Sequence, residues 1–226
     1  MASPEPPPVR DLLAELATLI DVPPDLPALL ARLPRADLYL QDEVQAALHP
    51  TLTRLWSPKG RRGQRFVEAP GENAKVAGFG AVDWRDGFFH GLTAPGRRAA
   101  PFVEQLAAVG ARSRARGRAA IVLADNLRIH TPAGSLVLRA FLAAHDDVLL
   151  VYTPAYDPDA NRIEWLWRPT RRAVTHAHRR TRIDELAADL TDHFATLAAH
   201  PDAVLRHVGS PNAPAPTPGR VLAHAA

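Results

Sequence analysis

The alternation and recurrence of apolar positions set out the elements of the chain. Residues 11–20 place Leu12, Leu13, Leu16, Leu19 and Ile20 at helical spacing and predict a short amphipathic helix, broken by Pro23, Pro24 and Pro27. Residues 28–33 predict another turn or two. Residues 36–43 alternate apolar and polar and finish in Asp42 and Glu43, which reads as a strand carrying two acids at its end. Neighbouring strand residues point to opposite faces, so at most one of these acids serves a given site. After a loop over 49–63, strands are predicted at 64–68, 75–83 and 87–92, separated by turns at Ala69-Pro70-Gly71 and Arg85-Asp86-Gly87. A helix over 101–112 turns Phe102, Val103, Leu106 and Val109 inward. Residues 119–124 form a continuous apolar strand running into Asp125-Asn126, residues 135–144 a helix, and 148–152 a β-branched strand. That strand feeds a proline-marked loop, from which a helix opens near Asn161 with Glu164 in its first turn; residues 183–199 predict a further amphipathic helix.

Three or four strands, helix, strand, helix, strand, helix, helix is the order of a meander leading into βαβ crossovers. It predicts an α/β protein with one mixed sheet and helices on its faces. Acids then stand at the end of the first strand (Asp42), after the strand that follows the first long helix (Asp125), and on the helix after the last strand (Glu164). Parallel strands would bring two of them to one edge of the sheet, where α/β folds place their sites. Asn161 is positioned to cap the Glu164 helix. Helical spacing sets Arg168 and Arg171 on the face of Glu164, with Ile163, Trp167 and Val174 on the other side.

Composition narrows the chemistry. The sequence has 226 residues, 46% of them hydrophobic, enough for one good-sized domain. The expected division is a linker with short helices over 1–34, one domain over 35–200, and a disordered Pro/Ala-rich tail over 201–226. With no cysteine, disulfides, thiol chemistry and Cys-ligated metals are excluded. No apolar run reaches a transmembrane length and the first residues are not a signal peptide, so a cytoplasmic protein with no membrane partner is expected. The net charge is only +3, but Lys59 and Lys75 are the only lysines and the arginines cluster: Arg61, Arg62 and Arg65; Arg112, Arg114, Arg116 and Arg118; and Arg168, Arg171 and Arg172, continuing to Arg179, Arg180 and Arg182. Forked guanidinium donors at this density suit phosphate backbones.

Three carboxylates with basic flanks and no thiol point to hard, oxygen-liganded divalent ions, Mg²⁺ or Mn²⁺. Two such ions about 4 Å apart drive in-line phosphodiester displacement, with Asp125 shared between them and Asp42 and Glu164 as outer ligands. Each acid also has an ordinary reading, Glu164 as a balance to the helix dipole and Asp125 as a strand-end turn residue.

Four segments carry a resemblance: Leu38-Tyr39-Leu40-Gln41-Asp42-Glu43; Leu55-Trp56-Ser57-Pro58-Lys59-Gly60; Ile121-Val122-Leu123-Ala124-Asp125-Asn126 with Ile129-His130; and Tyr156-Asp157-Pro158-Asp159-Ala160-Asn161-Arg162-Ile163-Glu164, followed by Leu166-Trp167 and Val174-Thr175-His176. In this order they resemble the catalytic domain of Tc/mariner-type bacterial insertion-sequence transposases, of the D-D-E superfamily, over about residues 28–197. The resemblance implies an RNase H-like fold with a mixed five-stranded sheet and Asp42, Asp125 and Glu164 as the catalytic, metal-binding triad. The activity it implies is DNA cleavage and strand transfer at insertion-sequence ends. DNA, as transposon ends and target, is then the main partner, with Lys59, Arg61, Arg62, Arg168, Arg171 and Arg172 as its contacts and Asn126, His130 and Asn161 in support. A homodimer and a separate helix-turn-helix subunit from a split gene are candidate protein partners, because the chain begins at the connector and carries no DNA-reading half. Two departures stand out: Arg162 where the family usually has proline, and Pro169 inside the catalytic helix. His49 and His130 read as scaffold residues, Trp56, Trp165 and Trp167 as core, and Glu43 as structural. A structure-selective nuclease of the same fold and a catalytically silent, DNA-binding remnant are the competing readings.

Overall fold

The computed structural model describes residues 35–52, 56, 58–63 (only the backbone of Arg62), 66, 70–153 and 160–215. The helices expected at 11–20 and 28–33 and the proline-marked loop over 154–159 lie outside the described residues. Of the strand expected at 64–68 only Phe66 is described, and it belongs to no regular element.

Five strands make one sheet: β1 (Ala36–Ala47), β2 (Lys75–Asp83), β3 (Phe89–Ala94), β4 (Ala119–Ala124) and β5 (Val148–Tyr152), in the order β3-β2-β1-β4-β5. β1–β2 and β2–β3 pair antiparallel, β1–β4 and β4–β5 parallel. This is the expected RNase H-like mixed sheet. α1 (Ala99–Ala115) and α2 (Leu136–Ala144) cover one face; α3 (Glu164–Val174), α4 (Ile183–Ala199) and α5 (Pro201–His207) cover the other. The two faces follow from the period of two along each strand. On β1, Leu38, Leu40 and Val44 join Trp167, Leu190 and Phe194 in one core, while Tyr39 faces Phe102 and Leu106 in the other.

β1 is longer than its sequence pattern predicts. It runs to Ala47 because β2 pairs with it as far as Ala47↔Lys75, whereas its parallel pairing with β4 stops at Leu40↔Leu123. Asp42 and Glu43 are therefore not terminal. They sit in mid-strand, where one side of β1 has lost its neighbour and the edge is open. The freed carbonyl of Gln41 is satisfied by a side chain: Asn161 Nδ2 donates to it at 2.7 Å.

The tail expected from residue 201 does not begin there. His200 closes α4 and Pro201 opens α5 at a position where its missing N–H costs nothing. Val204, Leu205 and Val208 are buried, Ser210 Oγ donates to the Trp84 carbonyl at 2.6 Å, and Asn212 Nδ2 to the Arg85 carbonyl at 2.9 Å. Pro201 and Pro211 gave the segment its tail-like composition, but three apolar side chains suffice to dock it.

Candidate active site

Asp42 lies on the α3 side of β1, directly opposite Gly80 of β2. A Cβ at Gly80 would approach Trp167 Cη2 to 2.3 Å, so the glycine makes room for the indole. Trp167, fully buried, donates its Nε1–H to Asp42 Oδ2 at 2.8 Å. Burial, joined by the neighbouring charge of Glu164, pushes the Asp42 carboxyl up to about 8. The fold thus holds two carboxylates within electrostatic reach of one another. Partial relief comes from Arg171, whose Nη2 is 3.5 Å from Glu164 Oε2.

α3 carries this arrangement despite Pro169. The ring removes one backbone hydrogen bond, the one to the Trp165 carbonyl, on the side of the helix where Trp165 is itself exposed. The helix nevertheless continues to Val174. Its start differs from the expected cap: Asn161 offers no side-chain cap, its amide being committed to Gln41, and the helix begins at Glu164 after a turn. Arg162 sits with its guanidinium 5.3 Å from both the Trp84 and Trp165 rings and Nη1 3.2 Å from the Gly209 carbonyl, tying this turn to the end of α5.

Glu164, Trp165, Arg168, Arg171, Arg172, His176 and His207 line an open groove of about 1080 Å³. Arg168, Arg171 and Arg172 are exposed there, as Arg61 is on its own turn, Arg61–Gly63, and Lys59 just ahead of it. The side chain of Arg62 is outside the described residues. The arginines of 112–118 are different: each is committed to internal acids. Arg112 pairs with Asp83 and Asp86, Arg116 with Asp37, Asp83 and Asp86, Arg118 with Asp37, and Arg114 with Asp147. Asp37 and Asp83 are fully buried, so this cluster is a structural network at the amino end of β1 and β4 and not a phosphate surface. Arg180 and Arg182 are likewise paired, with Asp189 and Asp184.

Asp125 follows β4 at its carboxyl end. It stands two residues past Leu123, the last β4 residue paired with β1, as Asp42 stands two residues past Leu40. Its Oδ1 accepts from the Leu127 backbone N–H at 3.1 Å and from His130 Nδ1 at 2.5 Å. His130 is fully buried, its ring tilted against Phe102 with centroids 4.2 Å apart, and its Nε2 makes an ion-pair contact of 2.8 Å with Glu43 Oε1, too poorly aligned to count as a hydrogen bond. Burial alone would lower His130, but the two carboxylates outweigh it and push it up to about 9; Asp125 is in turn held below the usual carboxylate range, His130 outweighing its burial. Asn126 donates Nδ2 to the Thr153 carbonyl at 2.8 Å, joining the ends of β4 and β5. Among the described residues no group of three or more His, Asp or Glu side chains forms a ready metal site. Glu164 is a charged neighbour of Asp42, and Asp125 and Glu43 both contact His130.

Sequence reasoning left three contacts unplaced. Glu43 lies on the face opposite Asp42, as expected of a structural residue, and is buried against His130. Trp167 is core, as expected, and also a hydrogen-bond donor to Asp42. Gly80 gave no signal, because its role appears only when α3 is laid on the sheet. Trp56 and Trp165, both expected in the core, are exposed, Trp56 fully and Trp165 about half.

The oxygen set at Asp42 and Glu164, two carboxylates in mutual repulsion beside a basic groove, suits a hard divalent cation. No helix among the described residues is long and apolar enough to cross a membrane. Comparison with known proteins gives the same direction. A curated relative, "Insertion element IS630 uncharacterized 39 kDa protein" of Shigella sonnei, is 25% identical over 164 residues, covering 73% of this chain and 46% of its own length. The chain thus spans about half of that relative. Among solved structures, the Mos1 transposase paired-end complex with left transposon end matches with a TM-score of 0.52 at 19% identity, over 81% of this chain and 59% of that one. The Mos1 mariner paired end complex with Mn matches at 0.53 and 17%, over 81% and 57%. These likenesses show the fold. The model for DDE superfamily endonucleases matches residues 37–187, well over half of the sequence, and the chain belongs to that family.

Proposed function

We propose that this chain is the catalytic part of a Mg²⁺- or Mn²⁺-dependent DNA transposase, cleaving phosphodiester bonds and joining strands at insertion-sequence ends. The observation that carries the reading is the Asp42–Glu164 pair at the open edge of β1, beside a groove lined by Arg168, Arg171 and Arg172. Asp42 and Glu164 would hold the divalent ion, with Asp125 as the third carboxylate. Bound divalent ions supply a lowered pKa for the attacking water or hydroxyl and charge to stabilise the leaving oxygen. The remaining work belongs to the chain. Trp167 fixes Asp42 through Oδ2, Gly80 admits the indole, and Asn161 anchors the Glu164 turn to β1. Arg168 and Arg172 would grip the phosphate backbone with forked donors, with Arg171 beside them on the face of Glu164. Solved relatives of this fold are complexes with a transposon end and with Mn, which supports DNA as substrate and a divalent cation as cofactor. A second copy and a separate helix-turn-helix subunit complete the proposed partners.

One observation favours a second reading, a silent DNA-binding relative: Asp125 is engaged by His130. Incubation of the purified chain with supercoiled plasmid and Mn²⁺ separates the two. Nicking by the parent, abolished in Glu164→Gln with folding and DNA affinity retained, is the expected result. A parent that binds DNA without cutting it selects the silent relative, and a Glu164→Gln variant as active as the parent rules out this site.

A further inference from the structure

The pairing of β1 with β4 ends at Leu40↔Leu123, yet Asp42 and Asp125, two residues beyond on either strand, must keep a fixed relation if both serve one centre. No backbone ladder does this past Leu40. A side-chain bridge spans the gap instead, from Glu43 on β1 through His130 on the turn Arg128–His130 to Asp125. The Glu43 and His130 links are enclosed. Glu43 is 3% exposed, His130 is 0% exposed and packed on Phe102, and its backbone carbonyl accepts from the Tyr152 hydroxyl at 2.8 Å. Glu43 is also steadied by Gln41, whose Nε2 donates to the same Oε1 at 3.1 Å. At the other end the two hydrogen bonds to Asp125 both fall on Oδ1. Oδ2 takes none among the described residues, on a side chain 39% exposed. An imidazole between two carboxylates can rotate about its Cβ–Cγ bond; with Glu43 against Nε2 and Phe102 against the ring, Nδ1 is left facing Asp125.

We propose that Glu43, acting through His130, is a positioning residue that holds the Asp125 carboxylate with Oδ2 turned outward at the level of Asp42, replacing the strand pairing lost beyond Leu40. The assignment rests on the reading of Asp125 as a metal ligand in the proposed function. It explains why two adjacent acids of β1 on opposite faces both matter: Asp42 serves the centre directly, and Glu43 sets the height of its counterpart on β4. Partners that orient a ligating side chain typically alter metal affinity by about 10- to 100-fold when changed.

A double-mutant cycle on the full 226-residue chain tests this, with Mn²⁺ binding followed calorimetrically and the Asp125 ¹³Cγ and Leu127 amide resonances followed without metal. His130→Asn is the second mutation, since its amide can still donate to Asp125 from about the place of Nδ1 but does not reach Glu43. Glu43→Gln is expected to weaken Mn²⁺ binding by about 10-fold or more in the parent and to shift both resonances. In the His130→Asn background it should do neither. Unchanged Mn²⁺ affinity and unchanged resonances in Glu43→Gln overturn the proposal. So do effects that persist undiminished in the His130→Asn background, because Glu43 would then act by some other route. A parent that binds no Mn²⁺ overturns the metal-dependent function instead, and the resonance shifts alone then decide whether Glu43 positions Asp125.

Discussion

Asp42 shows how a single side chain can be held against its own preference. Its carboxyl is raised from the usual 3.8 to about 8, first by burial and then by Glu164. A folded-state value above the unfolded one means that the folded protein binds this proton more tightly. The cost is absent near pH 4, grows as the pH rises, and is complete above about 8. Asp42→Asn keeps an oxygen to accept from Trp167 and removes the charge, so the variant should melt higher than the parent at pH 8.5 in EDTA. The gain should shrink toward zero at pH 4.5. At about 2–4 °C per kcal/mol for a chain of this size, a gain of several degrees is expected. Saturating Mn²⁺ should raise the parent's melting temperature at pH 8.5 and leave that of Asp42→Asn nearly unmoved. Differential scanning at the two pH values checks both, and a variant that melts lower than the parent at pH 8.5 would contradict the repulsion. The acids themselves were legible in the sequence, because each follows an apolar run or opens an amphipathic one. Their environment was not. Trp167 lies 125 positions from Asp42 along the chain, and Glu43 and Gly80 are likewise remote in sequence from His130 and Trp167; burial of a charge beside a charge is a property of the packed sheet.

At the scale of elements, the sequence read most of the sheet and helix order, because β4 and β5 are short continuous apolar runs and α4 carries a 3.6-residue apolar period. It misjudged β1, whose length is set by its partners: β2 continues to pair where β4 has left. It also misjudged α5, whose short helix gains its stability from docking and not from propensity. The junction that matters most is where α3 crosses the sheet at Gly80, with no space for a methyl group beneath Trp167. Gly80→Ala forces the indole outward, with an overpacking cost of about 1–3 kcal/mol, and withdraws Nε1 from Asp42. The expected outcome is a melting temperature lowered by several degrees together with a loss of plasmid nicking at temperatures where the variant is still folded. Gly78 is the matching control, since a Cβ there meets Phe194 and Leu190 instead and disturbs α4 without touching Asp42. Equal nicking by folded Gly80→Ala and parent would remove Trp167 from the site.

Across the whole molecule the arginines divide by position, which the sequence could not reveal because clusters look alike until their counter-ions are placed. At the amino end of β1 and β4 they close a buried network around Asp37 and Asp83; on α3 they stand in the groove beside Glu164. The two sets should answer differently to the same substitution. Each phosphate contact adds about 0.9 to the slope of log affinity against log salt on duplex DNA. Arg172→Ala should therefore weaken binding across unrelated sequences and reduce that slope by about one, with little change in melting temperature. Arg118→Ala removes the partner that Asp37 Oδ1 has at 2.9 Å and leaves a fully buried carboxylate short of a donor. It should lower the melting temperature and leave the slope unaltered. Binding titrations of one labelled duplex at several salt concentrations, with melting curves for each variant, distinguish the two outcomes. If Arg118→Ala reduced the slope as much as Arg172→Ala, the amino end of the sheet would be a DNA surface as well, and the division of charge between scaffold and groove would be wrong.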